Sequence, residues 1–184
     1  LRSKTKVINE IIEDYNNLPE WNYDGSSTNQ ALGEDSEIIL KPVKSLYDPF
    51  RNDNNMNTSY DYLVLCETFL PNGEATPSNT RNEAVKILDK YQEDKPMFGI
   101  EQEFFISQNG IVVGFENDKQ SPAPQRDYYC GIGGSSITQR KIVEEAFQNC
   151  RKAGLGITGL NAEVAPSQWE FQVCEVGIDA ADEL

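Results

Sequence analysis

Glu101 and Glu103 stand two residues apart inside an apolar stretch, with Met97-Phe98-Gly99-Ile100 before them and Phe104-Phe105-Ile106 after. Alternate side chains leave a strand on the same face, so the two carboxylates point together. Unpaired on a mostly buried strand they repel, and one takes up a proton. A divalent cation relieves that repulsion, and hard oxygen ligands select Mg²⁺, Mn²⁺ or Ca²⁺. The alternative is an edge strand with both glutamates turned to solvent. A second pair, Glu163 and Glu170, lies in Asn161-Ala162-Glu163-Val164-Ala165-Pro166-Ser167-Gln168-Trp169-Glu170-Phe171. A turn at Pro166-Ser167 sets these two on neighbouring antiparallel strands, and Glu170 stands between Trp169 and Phe171. Taken alone, this pair also reads as two unrelated surface glutamates. Two such anomalies in one chain favour a four-carboxylate cation cluster, of the kind that neutralises phosphate oxygens during phosphoryl transfer.

Two loops hold further polar groups. Asp24-Gly25-Ser26-Ser27, behind Trp21 and Tyr23, either places one more carboxylate in a site or is an ordinary Asx turn. Gly131-Ile132-Gly133-Gly134-Ser135 reads as a structural turn more than a phosphate cradle, because it lacks the Lys-Ser/Thr ending of a P-loop. Tyr128 and Tyr129 read as core aromatics. The chain has no histidine, so within it neither a Ser-His-Asp triad nor a His-ligated metal is possible, and carboxylates must carry most of any chemistry. Sixteen Lys and Arg against 30 Asp and Glu give a net charge of −14. That argues against nucleic-acid binding through a general basic surface and against attraction to anionic lipid. No run of 18 apolar residues is present to form a membrane-spanning helix. Cys66, Cys130, Cys150 and Cys174 are widely spaced without a CxxC pair, and read as buried thiols of a reducing compartment.

The elements that must position these residues are strands and helices mixed without regular alternation, an α+β pattern. The 184 residues suit one domain or little more, at about 150 residues per domain. A strand-like run, Leu1 to Ile8, is broken by Asn16-Asn17-Leu18-Pro19. Glu37 to Leu40 reads as a strand stopped near Pro42. Tyr60 to Phe69 reads as a strand buried on both faces, turned back by Pro71-Asn72-Gly73. Further strands are expected at Phe98–Ser107, Ile111–Phe115, Ile157–Val164 and Gln168–Val173, with Asn109-Gly110 as a two-residue hairpin turn. Thr80-x-x-Glu83 reads as a capping box for a helix carrying Ala84, Ile87, Leu88 and Tyr91 on one stripe. Ser136-x-x-Gln139 reads as a second, before Ile142, Val143, Ala146, Phe147 and Cys150, with Gly154 closing that helix. Asp179 is expected to cap a last helical turn, Ala180 to Glu183. Both ends read as interrupted, as in a stretch of a longer protein.

With these residues in order, the chain resembles glutamine synthetase of the eukaryotic-like, shorter-subunit class. The motifs are Leu18-Pro19-Glu20-Trp21-Asn22-Tyr23-Asp24-Gly25-Ser26-Ser27-Thr28, Asp48-Pro49-Phe50-Arg51, Phe98-Gly99-Ile100-Glu101-Gln102-Glu103, Tyr128-Tyr129-Cys130-Gly131, and Asn161-Ala162-Glu163-Val164 with Gln168-Trp169-Glu170-Phe171-Gln172-Val173. They run in family order across nearly the whole chain.

The resemblance implies ATP-dependent ligation of ammonia to glutamate through γ-glutamyl phosphate, assisted by two divalent cations, Mg²⁺ or Mn²⁺. It implies that Glu101 binds the cation nearer the ATP phosphates and that Glu103, Glu163 and Glu170 bind the other. Asp24 matches the aspartate that binds and deprotonates ammonium, and Ser27 a nearby polar partner. Glu170-Phe171-Gln172-Val173-Cys174-Glu175, with Glu101, matches the nucleotide-binding set. The implied fold is a β-grasp domain, residues 1–75 without its first strand, followed by part of a catalytic domain with a curved antiparallel sheet, residues 76–184. The implied assembly is a cytoplasmic homo-oligomer of two stacked rings with active sites between subunits. Met97 stands where the family usually has Trp, Cys174-Glu175 replaces the usual Gly-Pro, and Ala162 replaces a usual Gly. The loop 52–60 looks expanded and the segment 114–125 short. The family's downstream His ligand, glutamate-binding loop and substrate-binding arginines have no counterpart in these residues. The other readings are a catalytically silent relative serving assembly and a ligase for another amine.

Overall fold

In the computed structural model, the polar–apolar alternation of the first half of the chain becomes three strands, Trp21–Asp24 (β1), Glu37–Tyr47 (β2) and Tyr62–Phe69 (β3). The structure describes residues 1–10, 12, 14, 17–51, 61–115, 125–133 and 137–184. The expected break at Asn16, the loop 52–60, the interior of the short segment 114–125, and Gly134, Ser135 and Ser136 lie outside the described residues. The chain divides into two compact units, Leu1–Lys90 and Tyr91–Leu184, and its class is α+β as expected.

In the first unit the strands form an antiparallel sheet in the order β1-β2-β3. Its best-buried side chain is Ile38, opposite Tyr23 in the ladder. Three expectations change here. β2 does not stop at Pro42 but runs to Tyr47, with a register shift between Pro42 and Lys44. β1 pairs only as far as Leu40, so beyond it one side of β2 is an edge, where a residue without an N–H is tolerated. β3 is not buried on both faces, because it is an edge strand with Leu63 and Val64 exposed. Leu1 to Ile8 carries no strand; Lys4 Nζ donates to the Asn22 carbonyl and lies over the Trp21 ring. The turn at Pro71–Gly73 is present, with Gly73 at φ 88°. Helix α1 spans Thr80–Leu88, but its cap is Asn79, whose side chain accepts the Asn82 N–H at 3.2 Å, so Thr80 is the first helical residue. Of its stripe, Ile87 stays exposed, as does Tyr91 beyond it.

The second unit holds Met97–Phe105 (β4), the short strands Ser107–Gln108 (β5) and Ile111–Val112 (β6), helix Arg140–Ala153 (α2), then Ile157–Ala162 (β7), Gln168–Val176 (β8) and Asp179–Asp182 (α3). The antiparallel order is β4-β8-β7, so β8 is central. Asn109 and Gly110 take φ 52° and 81°, the left-handed pair that a tight hairpin between β5 and β6 requires. α2 begins after Gln139, not at Ser136, because Gln139 itself is left-handed (φ 63°) and breaks the helical path. Gly154 (φ 97°) ends it, its N–H reaching the Arg151 carbonyl. Asp179 is the first residue of α3 rather than its cap, a place taken by Ile178.

One face of the β4-β8-β7 sheet is the core. Trp169 (1% exposed) packs with Ala162 and with Val143 of α2, and Phe104, Ile106, Ile137 and Leu160 close around them. Arg140 lies 4.9 Å from the Trp169 ring centre and donates to the Gly131 carbonyl. The turn joining β7 to β8 is tied down at Ser167 (φ 53°): its Oγ donates to the Val113 carbonyl at 2.9 Å and the Ile106 carbonyl at 3.2 Å, and its own carbonyl accepts the Ile106 N–H. Gly114 (φ 91°) lies so close to Pro166 that a Cβ there would strike the proline ring.

Trp169→Ala should lower the unfolding free energy by about 3–5 kcal/mol, read as a lower urea midpoint. Ile132→Ala, at a residue 92% exposed, should change it by less than about 0.5 kcal/mol.

Candidate functional site

On β8, residues alternate between the two faces of the sheet. Trp169, Phe171, Val173 and Glu175 share one side, and Gln168, Glu170, Gln172 and Cys174 the other. The ladder then decides which carboxylates meet. Glu103 of β4 is directly opposite Glu170, Glu101 is opposite Gln172, and Asn161 of β7 flanks Glu170 from the other side. Glu163 follows the end of β7, where its N–H bonds to the Gln168 carbonyl at 2.8 Å. The Pro166-Ser167 turn joins β7 to β8 as expected, and both ladders share β8; but β4 is an edge strand with Glu101 and Glu103 exposed, so the first pair follows the alternative of an edge strand turned to solvent, not that of a mostly buried strand.

Burial is uneven. Glu163 (8% exposed) and Glu170 (6%) are buried, whereas Glu101 and Glu103 are exposed. Each buried carboxylate is provided with donors, as burial requires. Gln172 Nε2 donates to Glu170 Oε1 at 2.8 Å, and Asn161 Nδ2 to Glu163 Oε1 at 3.2 Å. The Val164 N–H donates to Glu163 Oε2 at 3.1 Å, and Gln168 Nε2 to Glu103 Oε2 at 2.7 Å. Among the described residues, no three His, Cys, Asp or Glu side chains gather closely enough to hold a metal ion. The four glutamates thus do not form one closed set, and the oxygens of Glu103, Glu163 and Glu170 are held by amide N–H donors.

The donor chemistry still fits a hard divalent cation, since the charged groups here are carboxylates. Burial raises the Glu163 carboxyl above its ordinary value. The charge on Glu170 raises it further, the Val164 N–H opposes this, and Glu103 adds to it. Glu163 therefore feels the charges of two other carboxylates, a repulsion that a cation would relieve.

The nucleotide-binding stretch expected at 170–175 is split by the pleat. Glu170, Gln172 and exposed Cys174 lie on the carboxylate face. Phe171 packs near Phe104, with ring centres 6.3 Å apart, and Val173 is fully buried on the core side.

Asp24 and Ser27 belong to the first unit. Asp24 ends β1 and caps the 3-10 turn Gly25–Thr28. Its Oδ1 accepts the Ser26 hydroxyl at 2.6 Å and N–H at 2.9 Å, and its Oδ2 the Ser27 hydroxyl at 3.2 Å. The Ser26 hydroxyl, then its N–H, hold the Asp24 carboxyl below its ordinary value; desolvation opposes them, and Ser27 and Ser36 add lesser lowering effects. This is an Asx turn, and it leaves a fully charged carboxylate at the surface. A Cβ on Gly25 would collide with Ile38, so that position fixes where Asp24 sits.

Two sequence expectations beside the site are corrected. The cysteines are not all buried: Cys130 and Cys174 are exposed, Cys66 and Cys150 are half-buried, and all four are free. Cys130 is in a left-handed turn (φ 53°), and Cys174 faces the polar side of β8. Tyr128 is core, but Tyr129 is exposed, and the neighbouring Cys130 thiol, then Glu163 and Glu170, raise its phenol. Gly131 is a packing glycine, a Cβ there meeting Ile137. Asn161 and Gln168 carry no assigned role in the sequence reading, and Tyr129 carries only that of a core aromatic. The signal for the first two was present, since each stands two residues from a site glutamate.

No family model matches the chain. Along its whole length it is 46% identical to glutamine synthetase cytosolic isozyme 2 of Vitis vinifera, covering 51% of that protein. It is 46% identical to the chloroplastic/mitochondrial glutamine synthetase of Arabidopsis thaliana, covering 42%. It is 44% identical to the glutamine synthetase nodule isozyme of Lupinus angustifolius, covering 58%. The chain thus spans about half the length of the curated relatives it matches.

A carboxyl raised by folding binds its proton more tightly in the native than in the unfolded state. Glu163 therefore costs stability as pH climbs from the ordinary carboxylate value through the raised one. Urea midpoints of Glu163→Gln, measured between about pH 4 and pH 7, should lose part of the wild-type decline. A decline of full size in the variant would refute the assignment. Asp24 has the opposite sign: its contribution is present above the ordinary value and is lost as pH falls through the lowered one.

Proposed function

Since this chain belongs to the glutamine synthetase family, we propose that the protein carrying it joins ammonia to L-glutamate at the expense of ATP, through γ-glutamyl phosphate. The observation that supports this most is the register in which Glu103 faces Glu170, with buried Glu163 in electrostatic reach of both.

Free glutamate is a poor acceptor because its γ-carboxylate is a weak electrophile without a leaving group, so it must first be phosphorylated. Glu103, Glu163 and Glu170 would hold one Mg²⁺ or Mn²⁺ ion, and Glu101 a second nearer the ATP phosphates. When bound, such ions supply positive charge against the phosphate and carboxylate oxygens. Glu170, Gln172 and Cys174 present the nucleotide-binding stretch on the same face as these carboxylates. Phe171 and Val173 contribute through their backbone and by fixing the strand, while Glu175 completes the stretch. Asp24, kept charged by Ser26 and Ser27, binds ammonium and takes a proton from it, because NH₄⁺ has no lone pair with which to attack.

In this reading residues 1–75 are a β-grasp domain and 76–184 the beginning of a catalytic domain whose antiparallel sheet curves as further strands join it. The assembly is a homo-oligomer of stacked rings in which the Asp24 loop serves a neighbouring subunit's site. The cytoplasm is its place, in keeping with a relative named as a cytosolic isozyme. A catalytically silent relative is the second reading, favoured by the lack of a closed carboxylate set among the described residues.

The protein carrying this chain should form glutamine and inorganic phosphate in equal amounts from glutamate, ATP, ammonium and Mg²⁺. Phosphate release that ignores ammonium, or no turnover at all, would reject the ligase. Glu103→Ala should lower kcat and raise the Mg²⁺ needed for half-maximal rate together, by about tenfold or more.

A further inference from the structure

We propose that Asn161 and Gln172 are positioning residues, an amide bridge that sets the spacing of Glu163 and Glu170 before any cation arrives. This rests on the cation reading above.

The bridge is continuous. Asn161 Nδ2 donates to Glu163 Oε1 at 3.2 Å. Gln172 Nε2 donates to Asn161 Oδ1 at 2.9 Å and to Glu170 Oε1 at 2.8 Å. Both protons of the Gln172 amide nitrogen are thereby used, and the two carboxylates at the ends only accept. That pattern also fixes which way each amide faces, since a flipped Gln172 would set oxygen against both partners.

The backbone makes room for this arrangement. Gln172 Oε1 occupies the place that a Cβ on Gly159 would take. Gly159 is opposite Gln172 in the ladder, beside the register shift between Ile157 and Gly159. An irregularity at a glycine, where the strand bends, is what admits a side chain lying flat against the neighbouring strand.

The physical benefit is preorganisation. Glu163 and Glu170 repel when charged, and without donors between them they would separate. Amides cross-link them without adding charge, so binding a cation does not have to gather them first.

The test is calorimetric titration of Mn²⁺ into the full protein, its Asn161→Ala and Gln172→Ala variants, the double variant, and Gly159→Ala. Each single variant should bind Mn²⁺ about 10–100-fold more weakly. The double variant should be no weaker than the worse single one, because a bridge cut once is already cut. Gly159→Ala should weaken binding too, although it removes no polar group. Circular dichroism identifies variants that keep the wild-type fold, and if Gly159→Ala does not, the two alanine variants and their double decide. Unchanged or tighter binding in Gln172→Ala, or losses that multiply in the double variant, would overturn the bridge. Failure of the unaltered protein to bind Mn²⁺ would overturn the cation reading itself, and the bridge with it.

Discussion

Strict alternation along one central strand is the constraint on which the second unit depends. β8 must bury Trp169 and Val173 on one side while it offers Gln168, Glu170 and Gln172 on the other. A slip of one residue would exchange the two sets and leave indole in water and carboxylate in the core. Because β4 and β7 both pair with β8, their polar residues inherit the same side. Placing Glu103 and Asn161 around Glu170 is therefore a consequence of ladder register more than of any local preference. The core is what holds the register, since Ala162 pairs with Trp169 in the same ladder that sets Asn161 opposite Glu170.

Carboxylates in the two units meet opposite environments. Asp24 accepts two hydroxyls and one N–H in a tight turn and is exposed, so its charge is favoured. Glu163 is buried beside like charges, so its charge is opposed. The same functional group is thus prepared as a stable anion in one place and as a site that gains from a positive partner in the other.

The sequence made some of this legible and hid the rest for identifiable reasons. The i, i+2 spacing of Glu101 and Glu103 and the turn at Pro166-Ser167 revealed the shared face, because the ladder of β4 on β8 runs without a register shift and so keeps the period of two. The hairpin at Asn109-Gly110 and the helix end at Gly154 were legible because left-handed backbone selects few residues. Helix starts were misplaced by one position at α1 and α3 and by more at α2: Asn79 is as plausible a cap as Thr80, whereas Ile178 and a left-handed Gln139 make no side-chain cap and so leave no signal in the sequence. The exposure of Leu63, Val64, Cys130 and Cys174 was not legible, because an apolar run does not state how many neighbours its strand will find. The amides of Asn161 and Gln168 were overlooked because neutral groups attract no notice until a ladder sets them against a charge.

The Ser167 turn bears on how chain length can vary. Its hydroxyl and carbonyl are both engaged by the segment around Ile106 and Val113, and Pro166 is wedged against Gly114. Added residues between Glu163 and Gln168 would have to break those ties, while the hairpin tip at Asn109-Gly110 has open space around Gly110. Insertions and deletions across homologous chains should accordingly collect at such tips and spare the four residues between Glu163 and Gln168, making the length of that span a better marker of kinship than most of its letters.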